Sequence, residues 1–297
     1  MCEHAICKHI VMMIEGNLQN LCDLLAVTPM QADCFLGGHP AQERSRVYGG
    51  QFLGQGIIAA CWRQPRGVRS LHASFLRPGT QDAPIEYTVQ AMSGTASKLD
   101  TRSVSARQND KVLFAMDIVL GELVAADPVP AGDLPGPEQA IPRQEGIRHL
   151  NTDTQSTWAN TTSPFDNRFV EDVWHDDYRD PRHHVWFRGR SADPAHSLSE
   201  VTAQQMRQAV LAYYVDDTIM DNALFPEGWL TSSAETASLD HCMWFHHDFT
   251  YDEWLLHDQD SPVAANGRGL TRGRIFNRAG QPVATTYQEI LMRRPTG

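Results

Sequence analysis

The chain has 297 residues, 41% of them hydrophobic, which separates it from disordered sequences and allows one large or two medium domains. Its formal net charge of −11 disfavours a nucleic-acid or anionic-membrane partner, although a local basic pocket can still hold a phosphorylated small molecule. Six scattered cysteines without a CxxC pair argue against a zinc ribbon or a disulfide scaffold.

In chain order, the first segment is MCEHAICKHIVMMI. Its C-x-H-x2-C-x-H spacing can fit an adventitious metal, but residues 1–20 read as a flexible leader. The apolar run IVMMI is too short for a signal-peptide core or a membrane helix, so no membrane insertion is expected. With reduced-type cysteines, and with a C-terminal RRPTG that is not a Ser-Lys-Leu address, a cytoplasmic location is expected.

The stretch RVYGGQFLGQGIIAACWRQ (46–64) predicts a helix whose small residues Gly50, Gly54 and Ala59 permit close packing. Strand-like segments follow: VRSLHASFLRPG, PIEYTVQAM, KLDTRSVSARQ and KVLFAMDIVL, rich in β-branched and aromatic residues and separated by turn signals. Residues 126–165 are first Pro- and Gly-rich and then polar, and read as a linker without regular structure in its first part. The units are then 21–125 and 166–297. In the second, VTAQQMRQAVLAYYVDDTIM (201–220) predicts the helix, followed by SAETASLDHCMWFHHDF, EWLLHDQDS, GRGLTRGRIFN and QPVATTYQEILMRR. Residues 99–120 can be laid over 269–291, a weak internal repeat. A helix followed by antiparallel strands gives an α+β class in which each sheet wraps around one helix. Two such units in tandem can join their sheets and bury an edge of each.

Several chemistries find no signature. GxSxG, HExxH and GxxxxGK[ST] are absent, and GGQFLGQG does not follow the dinucleotide fingerprint. The histidine pairs at 183–184 and 246–247 cannot chelate from one side of a strand, because adjacent residues point to opposite faces. Neither a metal nor a cofactor is expected.

RVYGGQFLGQGIIAA, VRSLHASFLRPG, VWFRGR, SLDHCMWFHHDF, the RG…RG of NGRGLTRG, and VATTYQEILMR, in that order and spacing, resemble the acyl-CoA thioesterase II (TesB-like) family over roughly residues 25–293. The resemblance implies a double hotdog fold and hydrolysis of acyl-CoA to a free acid and CoA. It also implies a site in which an Asp on the second-half helix, a Ser or Thr on the next strand and a Gln on the last strand orient a water. By motif position these are Asp216, Ser238 and Gln288. It departs from the family pattern at MSGTASKLD, where an Asp-Gly is usual, and in the leader.

The residues themselves bear on the first assignment. Positions 206, 209, 213, 216 and 220 form one helix face, reading Met, Ala, Tyr, Asp, Met. Asp216 is the ionisable group on that face, whereas Asp217 shares a side with Asp221 and can reach solvent. A carboxylate there is either catalytic or satisfied structurally. On strand period, Ser238 shares a face with Asp240 and Cys242, and Gln288 with Thr286 and Ile290.

Asp216 is expected to take the water's proton while Ser238 and Gln288 fix its orientation. Gly49 and Gly50, ahead of the first helix, are candidate oxyanion donors or merely packing glycines. His72 is a further candidate contact, with a hydrogen-bonded core role as its alternative. Arg77, Arg102, Arg268 and Arg272 are candidate contacts for CoA phosphates. A covalent role for Ser238 requires a base beside it, for which an aspartate is weaker than a histidine. Two rivals are a non-catalytic acyl-CoA-binding protein and a hotdog enoyl-CoA hydratase, the latter needing an Asp–His pair near a helix start. A homo-oligomer is expected, as paired hotdogs often associate.

Overall fold

The computed structural model describes residues 16–41, 46–92, 98–124, 127, 134–149, 163–175, 177–191, 193, 198–228 and 234–293. The Cys/His spacing near the N-terminus lies outside these residues. Helix α1 (Leu18–Leu25) begins inside the stretch read as leader: Asn17 and Asn20 form a reciprocal capping box, and Leu18, Leu21, Cys22 and Leu25 are buried. Strands β1 (Val27–Gln31) and β2 (Cys34–Gly37) lead to helix α2 (Gly49–Cys61), then β3 (Val68–Phe75), β4 (Ile85–Ala91), β5 (Asp100–Gln108) and β6 (Lys111–Leu120).

A two-residue β7 (Ile141–Pro142) and a single helical turn, α3 (Arg143–Gly146), follow. The expectation that residues 127–146 lack regular structure is therefore corrected at its end. The prolines are accommodated because this segment lies on the outer face of the second-half sheet and binds it through carbonyls: Trp186 Nε1 donates to Pro135 O at 2.9 Å and Arg168 to Pro137 O at 2.9 Å. Proline lacks the N–H but keeps the acceptor.

The second half holds β8 (Phe165–Phe169), β9 (Arg182–Gly189), α4 (Ala203–Thr218), the turn α5 (Asp221–Leu224), and β10 (Glu235–Ser238), β11 (Asp240–Phe245), β12 (Leu255–Ala265), β13 (Arg268–Asn277) and β14 (Pro282–Arg293). One antiparallel sheet runs through both halves in the order β1-β2-β4-β5-β6-β3-β11-β14-β13-β12-β9-β8-β7, with β10 pairing beside β11 on β14. The order mirrors itself about the β3–β11 seam, where Asp240 faces Ser74 and Trp244 faces Ser70. This is the double hotdog, two sheets each wrapped around a helix and merged edge to edge.

The two helices lie antiparallel inside the sheet. A Cβ on Gly50 would meet Tyr213 O at 2.5 Å, and one on Gly54 would meet Ala209 O at 3.2 Å. Tyr48 adds an edge-on ring contact to Tyr213 at 4.8 Å and donates its hydroxyl to Tyr213 O at 2.9 Å. Helix α4 starts with a capping box between Thr202 and Gln205 and is buried on nearly every side. Its polar residues serve the other unit: Gln208 bonds both the N–H and the carbonyl of Val68 at 2.8 Å. The antiparallel arrangement places the start of α2 against the last turn of α4, and the site forms there.

Candidate active site

Asp216 lies in that last turn and is 1% exposed. A carboxylate at the C-terminal end of its own helix is disfavoured by the helix dipole, and burial adds to the cost. Both are offset from across the helix pair. The side chain reaches the N-terminus of α2, where Gly50 N–H donates to Oδ2 at 2.8 Å. Since α2 has no side-chain cap of its own, Asp216 supplies one from the other unit. The approach needs glycine, because a Cβ at Gly49 would lie 2.6 Å from Asp216 Oδ2.

The other carboxylate oxygen, Oδ1, accepts from Ser238 Oγ at 3.1 Å and from Gln288 Nε2 at 2.9 Å. Gln288 Nε2 is also 2.7 Å from Ser238 Oγ, and Met220 Sδ borders the serine at 3.7 Å. The three residues expected at the site are thus mutually hydrogen-bonded. Burial pushes the Asp216 carboxyl up to about 7; the bonds from Gln288, Ser238 and Gly50 oppose that rise, and Asp217 adds slightly to it. Asp216 and Gln288 are buried while Ser238 is half-buried, so the serine marks the side open to a ligand.

Ser238 reaches this position through a register change that its face assignment overlooked. Along β14, Ser238 pairs with Ile290 but Cys242 pairs with Tyr287, one residue out of step. Leu239 and Asp240 take up the difference, their positions fixed by Leu239 N–H to Glu289 O at 2.9 Å and Glu289 N–H to Asp240 Oδ1 at 2.8 Å. The bulge turns Ser238 inward while the inward residues of β11 are His241, Met243 and Phe245, not Asp240 and Cys242. Gln288 does share its buried face with Thr286 and Ile290.

The remaining candidates separate. His72 is exposed on the outer face of β3, edge-on to Trp244 at 5.1 Å, and takes no part in the cluster. Strand alternation puts Leu71 and Ala73 inward and His72 outward. Gly50 N–H points at Asp216, so it stabilises the carboxylate and is not aimed at a substrate oxygen. Among the arginines, Arg102 pairs with Asp100 at 2.8 Å, Arg268 with Glu289 at 3.7 Å, and Arg272 with Asp260. Arg77 binds the Val112 carbonyl at 2.8 Å. His183 is buried against Asn222, while His184, on the opposite face, pairs with Glu171 and Asp258.

One buried neighbour of the cluster was missed. His241 Nδ1 lies 2.9 Å from Gln288 Oε1, and its Nε2 lies 2.8 Å from Thr286 Oγ1. Its signal was present in the sequence, since His241 alternates with Met243 and Phe245 once the strand is phased from its apolar residues.

Two family models match side by side, one described as acyl-CoA thioesterase over residues 169–291 and one as acyl-CoA thioesterase N-terminal domain over residues 37–121. The chain belongs to the acyl-CoA thioesterase II family. It is 29% identical to acyl-coenzyme A thioesterase 8 of Homo sapiens, over 91% of this chain and 88% of that protein. It is 28% identical to acyl-CoA thioesterase 2 of Haemophilus influenzae, over 93% of this chain and 98% of that protein. Among solved structures, the acyl-CoA thioesterase II TesB2 of Mycobacterium marinum superposes with a TM-score of 0.69 at 28% identity, covering 94% of this chain and 98% of that one. The likeness to these thioesterase II proteins therefore extends over both units. Among the described residues no helix is long and apolar enough to cross a membrane.

Proposed function

We propose that the chain hydrolyses acyl-CoA thioesters to the free acid and CoA, with Asp216, Ser238 and Gln288 holding and activating the attacking water. The observation that carries this reading is a buried carboxylate that ionises near neutrality and is met by three donors from three separate elements. A base with such a pKa is half-ionised at working pH and still basic enough to take a proton.

The proton of the water passes to the Asp216 carboxylate, whose Oδ1 accepts from Ser238 and Gln288 and whose Oδ2 accepts from Gly50 N–H. The water oxygen attacks the thioester carbonyl carbon, and Ser238 and Gln288 restrict its direction of approach. Gly49 N–H, at the start of α2 where the first amides have no partner within the helix, is the donor we assign to the developing oxyanion. Collapse of the tetrahedral intermediate expels the CoA thiolate, which takes back the proton from Asp216. Phe75 and Met220 flank the reacting groups with apolar surface. Arg77, in the loop after β3, is the candidate of the original four not engaged by a carboxylate among the described residues, and we assign it to the CoA phosphates.

The hydratase alternative is disfavoured because His241 touches Gln288 and Thr286, not the carboxylate. The test is release of free thiol by purified protein from acyl-CoAs of graded chain length, with Asp216→Asn as control. Thiol release that falls about a hundredfold or more in the variant supports the proposal. Binding without release supports the non-catalytic rival, and unchanged release removes Asp216 from the mechanism.

A further inference from the structure

The hydrogen bonds behind Gln288 can be given directions, because one end of the chain of contacts is fixed. An ionised Asp216 only accepts, so the Gln288 atom 2.9 Å from its Oδ1 has to be the amide nitrogen. The Gln288 carbonyl oxygen is then turned away, towards His241 Nδ1 at 2.9 Å. A carbonyl oxygen only accepts, so Nδ1 carries the hydrogen. Burial of His241 pushes its ring down to about 4, which keeps it neutral. Its Nε2 is therefore bare and accepts, and the partner is the Thr286 hydroxyl at 2.8 Å. All three side chains are fully buried, so none can exchange its partner for solvent without opening the sheet.

The dependence also runs the other way. Gln288 is a symmetric-looking amide that fits its pocket equally well in two orientations, and only hydrogen bonding selects between them. Turned over, it would set its oxygen against the Asp216 carboxylate and its nitrogen against His241. A histidine protonated on Nδ1 forbids that, since two donors would then face each other. We propose that His241 is a positioning residue: as its Nδ1–H tautomer, with Nε2 accepting from the Thr286 hydroxyl, it keeps the Gln288 amide nitrogen turned to Asp216 and Ser238. The inference rests on the reading of Gln288 as a water-orienting group. The groups around His241 are Gln288 and Thr286 from β14, its pairing neighbour Ala73 from β3 and, across the sheet, the neutral His257 of β12. Asp216 is reached through Gln288. Around Asp216 itself are Gly50 N–H, Ser238, Gln288 and the carboxylate of Asp217.

The test is the pH profile of thiol release for His241→Phe, His241→Asn and Gln288→Ala. Phenylalanine keeps the ring and removes both bonds. It is expected to lower kcat roughly ten- to a hundredfold, the loss usual when an orienting partner is removed, with KM within about twofold. It is also expected to move the acid limb to higher pH, because the Asp216 carboxylate loses a dependable donor. Asparagine, whose amide N–H can stand in for Nδ1–H, is expected to restore much of kcat and return the limb. A His241→Phe enzyme with wild-type kcat and limb overturns the inference, as does an Asn variant no better than Phe. If Gln288→Ala is itself unimpaired, the reading of the site has failed and His241 falls with it. If Gln288→Ala is impaired and His241→Phe is not, His241 alone falls. Ring 15N shifts of His241 in the unaltered protein give an answer independent of variant folding. A protonated Nδ1 and a bare Nε2 between pH 6 and 9 support the assignment, and the opposite tautomer overturns it.

Discussion

Ionisation of Asp216 is a contest between loss of hydration and the donors gathered around it, and burial wins by raising the carboxyl to about 7. The donors lower the pKa, so removing one raises it further. Ser238→Ala is therefore expected to shift the acid limb of kcat/KM to higher pH and to lower kcat roughly ten- to a hundredfold, read from thiol-release profiles between pH 5 and 9. Abolished turnover in this variant, together with a trapped acyl-enzyme in the wild type, would point instead to a covalent serine. At this scale the sequence was partly legible. The face 206, 209, 213, 216, 220 located Asp216 because an α-helix keeps its period, and all five residues are buried. Ser238 was assigned its face by a strand period that the chain does not keep, and the same bulge hid His241. Alternation predicts direction only where pairing stays in register.

The two central helices show why elements from both halves are needed. Helix α4 brings a carboxylate to the end where its own dipole is least favourable, and α2 offers an N-terminus to receive it. Contact at backbone distance depends on glycine. In Gly50→Ala the new methyl would meet Tyr213 O, a backbone atom inside a buried helix, at 2.5 Å. The substitution is expected to destabilise the fold by about 1–3 kcal/mol, a fall in Tm of several degrees by thermal denaturation, and to depress activity as the helices separate. An Ala variant with unchanged Tm and turnover would show that the helices have room the structure does not indicate. That α2 and α4 would each sit inside a sheet followed from the order of elements in each half, one helix and then a run of strands. That they meet antiparallel, end on carboxylate, did not follow, because helix–helix register is decided by contacts between residues more than 150 positions apart.

For the whole molecule, merging two sheets at β3 and β11 removes one edge from each, and the second-half sheet carries a set of buried histidines on β9, β11 and β12. His183, His241 and His257 are all buried there and held neutral, the last pushed down to about 3 mainly by burial, with His183 adding to the shift. Neither ring nitrogen of His257 bonds a protein group among the described residues. Its pKa is lower in the fold than in the unfolded chain. Above about 6.5 neither state is protonated and the difference is constant; as pH falls below that, the unfolded chain gains a proton that the fold refuses, and stability is lost. His257→Leu is expected to be increasingly more stable than wild type from pH 6.5 downwards, by about 1 kcal/mol per pH unit, measured as urea midpoints at pH 7, 6 and 5. A difference that does not change with pH would contradict the depressed pKa. The architecture as a whole was legible through the repeated order of helix and strands. Helix α1 and the first strands were not, although Asn17 followed by Leu18, Leu21, Cys22 and Leu25 carries a cap and a helical apolar stripe. The Pro-rich segment was misread at its end because prolines that forbid ladder donation still allow binding through carbonyls.

The most direct test of the account is kcat/KM for thiol release from an acyl-CoA as a function of pH, in wild type and in Asp216→Asn. The wild type is predicted to rise about tenfold per pH unit up to a limb near 7 and then level off, since the carboxylate is the active form. The variant is predicted to be lower by about a hundredfold or more and to lack that limb. A variant within a few-fold of wild type, with the same limb, would contradict the assignment of Asp216 as the base.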